Sequence, residues 1–202
     1  MNPNANPEDI LAFWFGREAG NSAAAQAQKK LWWSKDAVVD AEIRERFGAL
    51  VAAAAGGAHR EWAREPRGRL ALILLFDQFP RNIYRDTPQA FAHDGLALRL
   101  ALDGMEHGAD RSLREIERVF FYLPLEHAES ADIQAQSVAL FEDLLAGVAA
   151  ADRATFAGFL DYAVRHRDVV QRFGRFPHRN RILGRTSTAE ENAFLQQPGS
   201  SF

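Results

Sequence analysis

The residues able to do chemistry in this chain are a small set of acids, histidines and arginines at the ends of apolar runs. Asp77 lies in PRGRLALILLFDQFPRN (66–82), on the helical stripe formed by Leu70, Ile73 and Leu74. A carboxylate on an apolar stripe needs hydrogen bonds or a cation, and Gln78, Arg81 and Asn82 are its neighbours in sequence. His127 stands between Glu126 and Glu129 in YLPLEHAES. An imidazole there can act as a general base near neutral pH, hold a ligand or serve as a structural partner. His166 falls on an apolar helical stripe with Phe159, Ala163 and Val170, and His178 follows Pro177 in an arginine-rich stretch. From Val169 through Ala189 there is no acid, while Arg172, Arg175, Arg179, Arg181 and Arg185 all occur. Guanidinium forks suit carboxylates and phosphates, or fixed internal ion pairs.

Composition removes several other chemistries. The 202 residues contain no cysteine, which excludes thiolate nucleophiles, disulfides and zinc–thiolate sites. His127, Glu129, His166 and Asp77 are suitable metal ligands by type, but no close spacing joins them, and no metal or cofactor is expected. No nucleophile elbow, phosphate-binding glycine loop or dinucleotide fingerprint is present. A net charge of −3, only three lysines and no recognisable binding motif argue against nucleic acid. The longest strongly apolar run, LALILLF, is far short of the ~20 residues of a membrane helix. No secretory leader is legible in MNPNANPEDI, and a cytoplasmic setting is expected.

The elements that must position these groups read as helices. Asn6 and Pro7 start the helix of ILAFWF, stopped by Gly16. Residues 17–30 read as a loop or short helix. Of the adjacent Trp32 and Trp33, one belongs to the core and the other to an edge or a pocket. Asp36 caps an amphipathic helix to Ala55, with Val39, Ile43, Phe47 and Leu50 on its stripe. The central helix begins at Pro66, and Pro80 stops or bends it near Phe79. Asp86, Thr87 and Pro88 start the next helix, which ends close to Gly104. Another carries Leu113, Ile116 and Phe120 and stops at Leu123 before Pro124. Helices over 131–148 and from Asp152 to Gly174 follow, then a short one from Ser187 or Thr188 to Leu195. No segment alternates like a strand. The expectation is one all-α domain over 1–202, a compact array of seven to nine helices, with 196–202 a flexible tail. Two turns echo each other, FDQFPRNIY at 76–84 and FGRFPHRNRIL at 173–183.

The segments ILAFWFG (10–16), LWWSKD (31–36), GRLALILLFDQFPRNIYRDTPQAFAHD (68–94), ERVFFYLPLEHAES (117–130) and RFGRFPHRNRILGRTSTAEENAFL (172–195) resemble a bacterial family, domain of unknown function 924. That resemblance spans nearly the entire chain. It implies an all-helical fold similar to tetratricopeptide repeats, and it implies no particular reaction. The polar motif positions of the family match here at Asp77, Gln78, Arg81, Asn82, Arg118, Glu126, His127, His178, Arg179 and Asn180.

Three functions remain open from sequence. The first is binding of a small anionic ligand, a carboxylate or phosphate, by Arg81, Asn82, Arg118, His178, Arg179 and Asn180, with Trp14 or Trp32 as an apolar wall. The second is a helical interaction module that takes a peptide or protein partner. The third is a metal-independent hydrolase or lyase using His127 with Asp77 or Glu126. The two echoing turns are expected to meet around the ligand, with Asp77, Glu117, Glu126 and Glu129 as the internal counter-charges.

Overall fold

A run as apolar as LALILLF cannot face water on any side, so other helices must surround it. The computed structural model describes residues 6–201 and builds the chain in that way. Residues 1–5 and 202, which include part of the N-terminal stretch read for a leader and the end of the expected tail, lie outside the described residues. Nine α-helices and no strand occur among them. These are α1 (Pro7–Phe15), α2 (Asn21–Trp33), α3 (Ala37–Ala55), α4 (66–83), α5 (Asp94–Glu106), α6 (Glu115–Glu126), α7 (Ala131–Gly147), α8 (Arg153–Phe173) and α9 (Ala189–Leu195). Every residue of α4 from Gly68 to Pro80 is buried. Helices α1, α3, α5 and α6 pack around it, and α7 and α8 form a hairpin against α6.

Proline does not end α4 where the sequence suggests. A π-helical turn, Leu74–Gln78, is followed directly by the helical turn Phe79–Ile83. The Phe79 N–H reaches back five residues to the Leu74 carbonyl. A regular helix would drive the Pro80 ring into the Phe76 carbonyl and leave that carbonyl unpaired. The wider turn absorbs this conflict, and such turns recur at functional sites. Pro124 likewise sits inside α6, which runs on to Glu126.

Three other boundaries differ from expectation. The alanine-rich segment after Gly20 is helical as α2, in keeping with alanine's propensity. Asp152 does not cap α8 with its side chain, because its carboxylate accepts from the Ser22 N–H and hydroxyl and from Asn21. The helix expected from Thr87 begins only at Asp94. Asp86 is left-handed (φ 61°), the Thr87 hydroxyl bonds back to the Tyr84 carbonyl, and Pro88–Phe91 is a short 3-10 turn. This last difference places Phe91 and Asp94 beside the end of α4.

Trp14 and Trp32 belong to the core. Trp14 packs on Phe79 (5.4 Å) and Phe120 (5.6 Å), Trp32 packs on Phe120 (4.6 Å), and the Trp32 indole donates to the Trp14 carbonyl at 2.9 Å. Trp33 is the half-exposed member of the pair. At the tail, the Ser200 hydroxyl donates to the Leu195 carbonyl and Arg165 donates to the Gly199 carbonyl.

Gly104 permits α5 to lie close to its neighbours. A Cβ there would stand 2.5 Å from Arg69 Cδ and 2.6 Å from Phe121 Cζ, whereas one at Gly158 in α8 would meet nothing within 4 Å. Gly104→Ala is expected to destabilise by ~1–3 kcal/mol through overpacking. Gly158→Ala is expected to stabilise by ~0.5–1 kcal/mol. Urea unfolding of both variants checks the pair, and equal effects would remove the packing argument.

Candidate functional site

The site forms where the widened end of α4 meets the end of α6. Asp77 is fully buried, and its two oxygens are held separately. Gln78 donates to Oδ2 at 2.6 Å, and His127 Nδ1 lies 2.7 Å from Oδ1. A carboxylate only accepts, so Nδ1 carries the hydrogen and Nε2 is left as an acceptor. Arg81 Nη1 adds a charge 3.3 Å from Oδ1 and donates to the Asp77 carbonyl. Burial alone would raise the Asp77 pKa. The Arg81 charge and the bonds from His127 and Gln78 override it and hold the carboxyl well below the usual range. His127 closes α6 as its C-cap residue, and burial together with nearby Arg81 depresses its pKa, so the ring is neutral at neutral pH.

A second layer lies over the first. Asp94, in the first turn of α5, accepts a two-pronged bond from Arg81 at 2.9 and 3.1 Å. Arg179 reaches the same carboxylate at only 3.5 Å and donates to the His127 carbonyl at 3.1 Å, in both cases through Nη1. Its guanidinium lies between the rings of Phe91 (4.8 Å) and Phe176 (4.4 Å). Nε and Nη2 have no hydrogen-bond acceptor among the described residues, and Nε is fully buried. Burial and repulsion from Arg81 push the Arg179 pKa down to about 10.

Beside this pair runs another, Glu126 with His166 Nδ1 at 3.0 Å. Burial first, then repulsion from Asp77, push the Glu126 carboxyl up to about 8. Two buried carboxylates, Asp77 in the α4 turn and Glu126 at the end of α6, are thus held in opposite states. No group of three or more His, Asp or Glu side chains among the described residues is arranged to hold a metal ion.

A cavity of about 460 Å³ opens against these groups. Its polar wall is Asp94, His127, Glu129, Ser130 and Arg179, and its apolar wall includes Phe91, Leu98, Pro124 and Leu183. Ser130 is the N-cap residue of the 17-residue α7, yet its hydroxyl makes no capping bond.

The two echoing turns do meet, through their arginines and through Asp94. Their asparagines do not join them. Asn82 donates to Asp40, itself gripped by Arg85 at 2.7 Å through both prongs. Asn180 bonds Ser187 and Arg185 and holds the C-terminal loop together. Glu129 fastens that loop, accepting from Arg185 twice and from the Phe176 N–H. His178 is partly buried beside Phe176, and burial with adjacent Arg179 pushes its pKa down to about 3. Arg118 is absent from the cluster. It donates to the Tyr122 hydroxyl, which donates to Asp110, and it sits ~13 Å back along α6 from His127. Glu117 is likewise elsewhere, paired with Arg67 and Arg114. Trp14 and Trp32 do not line the cavity. Asp94, Phe91, Phe176 and Ser130 are the members that sequence reasoning missed. Asp94 had a signal, an acid just before the apolar run GLAL, as a helix's first turn prefers.

Fold and site together define an all-helical protein with an acid–imidazole–guanidinium cluster beside a half-polar cavity. The chain belongs to the family described as bacterial protein of unknown function, DUF924, whose model matches residues 10–199. It is similar to a solved structure of a protein of unknown function, ATU0120, from Agrobacterium tumefaciens. The two are 38% identical with a TM-score of 0.80, over 94% of this chain and 96% of that one. No curated protein matches it. No helix among the described residues is long and apolar enough to cross a membrane.

Two outcomes follow from the buried acids. Asp77→Ala leaves Arg81 only its bond to Asp94, strips His127 and Gln78 of their buried acceptor, and is expected to destabilise by ~3–5 kcal/mol in chemical denaturation. A loss of a few tenths would mean that the pairing contributes nothing. Glu126 behaves in the opposite sense. Its native pKa lies above its unfolded value of 4.5, so the native state holds a proton that the unfolded state has lost. Stability therefore falls as pH rises from 4.5 towards about 8. Glu126→Gln removes that slope and should gain on the wild type by up to ~1.4 kcal/mol per pH unit across the window. Parallel urea curves at several pH values measure it, and a constant difference between the two proteins rules it out.

Proposed function

We propose that this protein binds a small molecule through an anionic group placed against Arg179, with His127 poised above Asp77 as a base. The observation that carries this reading is the state of Arg179. It is buried, packed against the rings of Phe91 and Phe176, stands on the cavity wall with Phe91, and only Nη1 is engaged. Unspent donors on a desolvated cation favour a charge-assisted bond to an incoming anion. The uncapped start of α7 at Ser130 adds positive potential on the same wall. A carboxylate suits the site better than a phosphate. Asp94 and Glu129 stand on the cavity wall and repel a second negative charge.

Catalysis is the second reading, supported by the 2.7 Å contact between Asp77 and His127. That bond fixes the tautomer and leaves Nε2 able to take a proton, as a hydrolase or lyase without metal requires. A tetratricopeptide-like interaction role has less behind it, because the polar groups converge on a cavity and not along a groove. The absence of cysteine suits a reducing, cytoplasmic setting.

Calorimetry with 4-methylpentanoate and with inorganic phosphate tests the proposal. The carboxylate is expected to bind and phosphate to bind more weakly. Arg179→Met should weaken carboxylate binding at least about tenfold, ~1.4 kcal/mol, with the helical spectrum unchanged. Equal binding by wild type and variant would falsify the assignment.

A further inference from the structure

The charges around the cavity limit what can enter it. Three guanidinium groups, Arg81, Arg179 and Arg185, face three carboxylates, Asp77, Asp94 and Glu129. His127 is held neutral by burial, and Glu126 keeps its proton near neutrality for the same reason. The cluster is therefore balanced before any ligand arrives. A dianion would add two unmatched charges beside the buried Arg179, and a simple monocarboxylate would add one. A ligand bearing one charge of each sign adds none. Uncompensated charge in such surroundings is costly, so this difference selects.

Geometry narrows the class further. Arg179 keeps Nη2 without an acceptor, and Asp94 offers the remaining lone pairs of oxygens that each accept one bond from Arg81. The two groups adjoin, Nη1 standing 3.5 Å from Oδ2. Donor and acceptor that close together match an ammonium and a carboxylate carried on a single carbon. A peptide separates its two terminal charges and does not fit this pairing. The rest of the wall, Phe91, Leu98, Pro124 and Leu183, is apolar and suits an aliphatic or aromatic side chain. We propose that the cavity binds a free α-amino acid with an apolar side chain, its carboxylate on Arg179 and its ammonium on Asp94. Ser130, whose hydroxyl caps nothing, supplies a further donor on the cavity wall. The proposal rests on the anion-binding reading of the same cavity and adds the second charge to it.

Three isosteric probes separate the two ideas: leucine, 4-methylpentanoate, which lacks the ammonium, and 3-methylbutylamine, which lacks the carboxylate. Calorimetry on the full chain is expected to show leucine binding at least about tenfold tighter than 4-methylpentanoate, ~1.4 kcal/mol, and no binding of the amine. Asp94→Asn should erase the preference for leucine while 4-methylpentanoate still binds. Since Asp94 also pairs with Arg81, Leu98→Trp serves as a second variant. It fills the apolar wall of the cavity one helical turn from Asp94, leaves the charged groups in place, and should abolish leucine binding in a folded protein. If 4-methylpentanoate binds as tightly as leucine, the amino-acid assignment is overturned and the anion reading stands. If neither binds, or the amine alone does, both are overturned.

Discussion

A fully buried carboxylate in the middle of an apolar helix is the constraint on which this structure depends. Asp77 has no water to solvate it. Isolated, it would take up a proton or destabilise the fold. It remains charged because three elements are brought to it. Gln78 comes from the same turn, Arg81 from the next, and His127 from the end of α6. The π-helical turn makes room for this, since it widens α4 just where the acid sits and lets Pro80 follow without a clash. Backbone irregularity, proline placement and the buried charge are therefore one feature.

From that acid the arrangement grows outward by charge. Arg81 is shared with Asp94, and Asp94 reaches towards Arg179. Arg179 belongs to a loop that owes its own shape to Glu129, Arg185 and Asn180. Arg185 thus ties the loop to Glu129, just past the end of α6. Arg172 and Arg175 pair with Glu190 and Glu191 of α9. Arg179 differs because two rings pack against it and its one acid contact, to Asp94, is long. A cation stacked in that way keeps donors that an ion-paired arginine would have spent.

Asp77 and Glu126 show how little sequence distance matters to protonation. Both are buried, yet one is charged and the other neutral near pH 7. Asp77 has cations within reach, whereas Glu126 faces His166, itself discharged by burial, and feels the charge of Asp77. The pair of environments places the His127 imidazole, fixed by Asp77, next to a carboxyl that keeps its proton. Such a contrast is the physical precondition for proton transfer.

Helical content, the order of the helices and the burial of most of 66–79 were legible in the sequence, because period and capping are local. Asn6, Asp36, Gly16, Gly174 and Thr188 act where their types predict. So was the meeting of Arg81, His127 and Arg179, which polar groups at the ends of apolar helices foreshadowed. Other features were decided only in three dimensions. Whether Pro80 and Pro124 stop a helix depends on the strength of the packing around it, and here packing outweighs the lost bond. Whether Trp14 and Trp32 wall a cavity or fill the core depends on which helix arrives opposite them. The partner of each arginine is a matter of reach across the fold, so Arg118 goes to Tyr122 and Asp110, while Arg179 finds two phenyl rings. Sequence by itself determined which groups this protein has at its helix ends. Tertiary structure decided which of them are left unpaired, because pairing is set by distance in space and not along the chain.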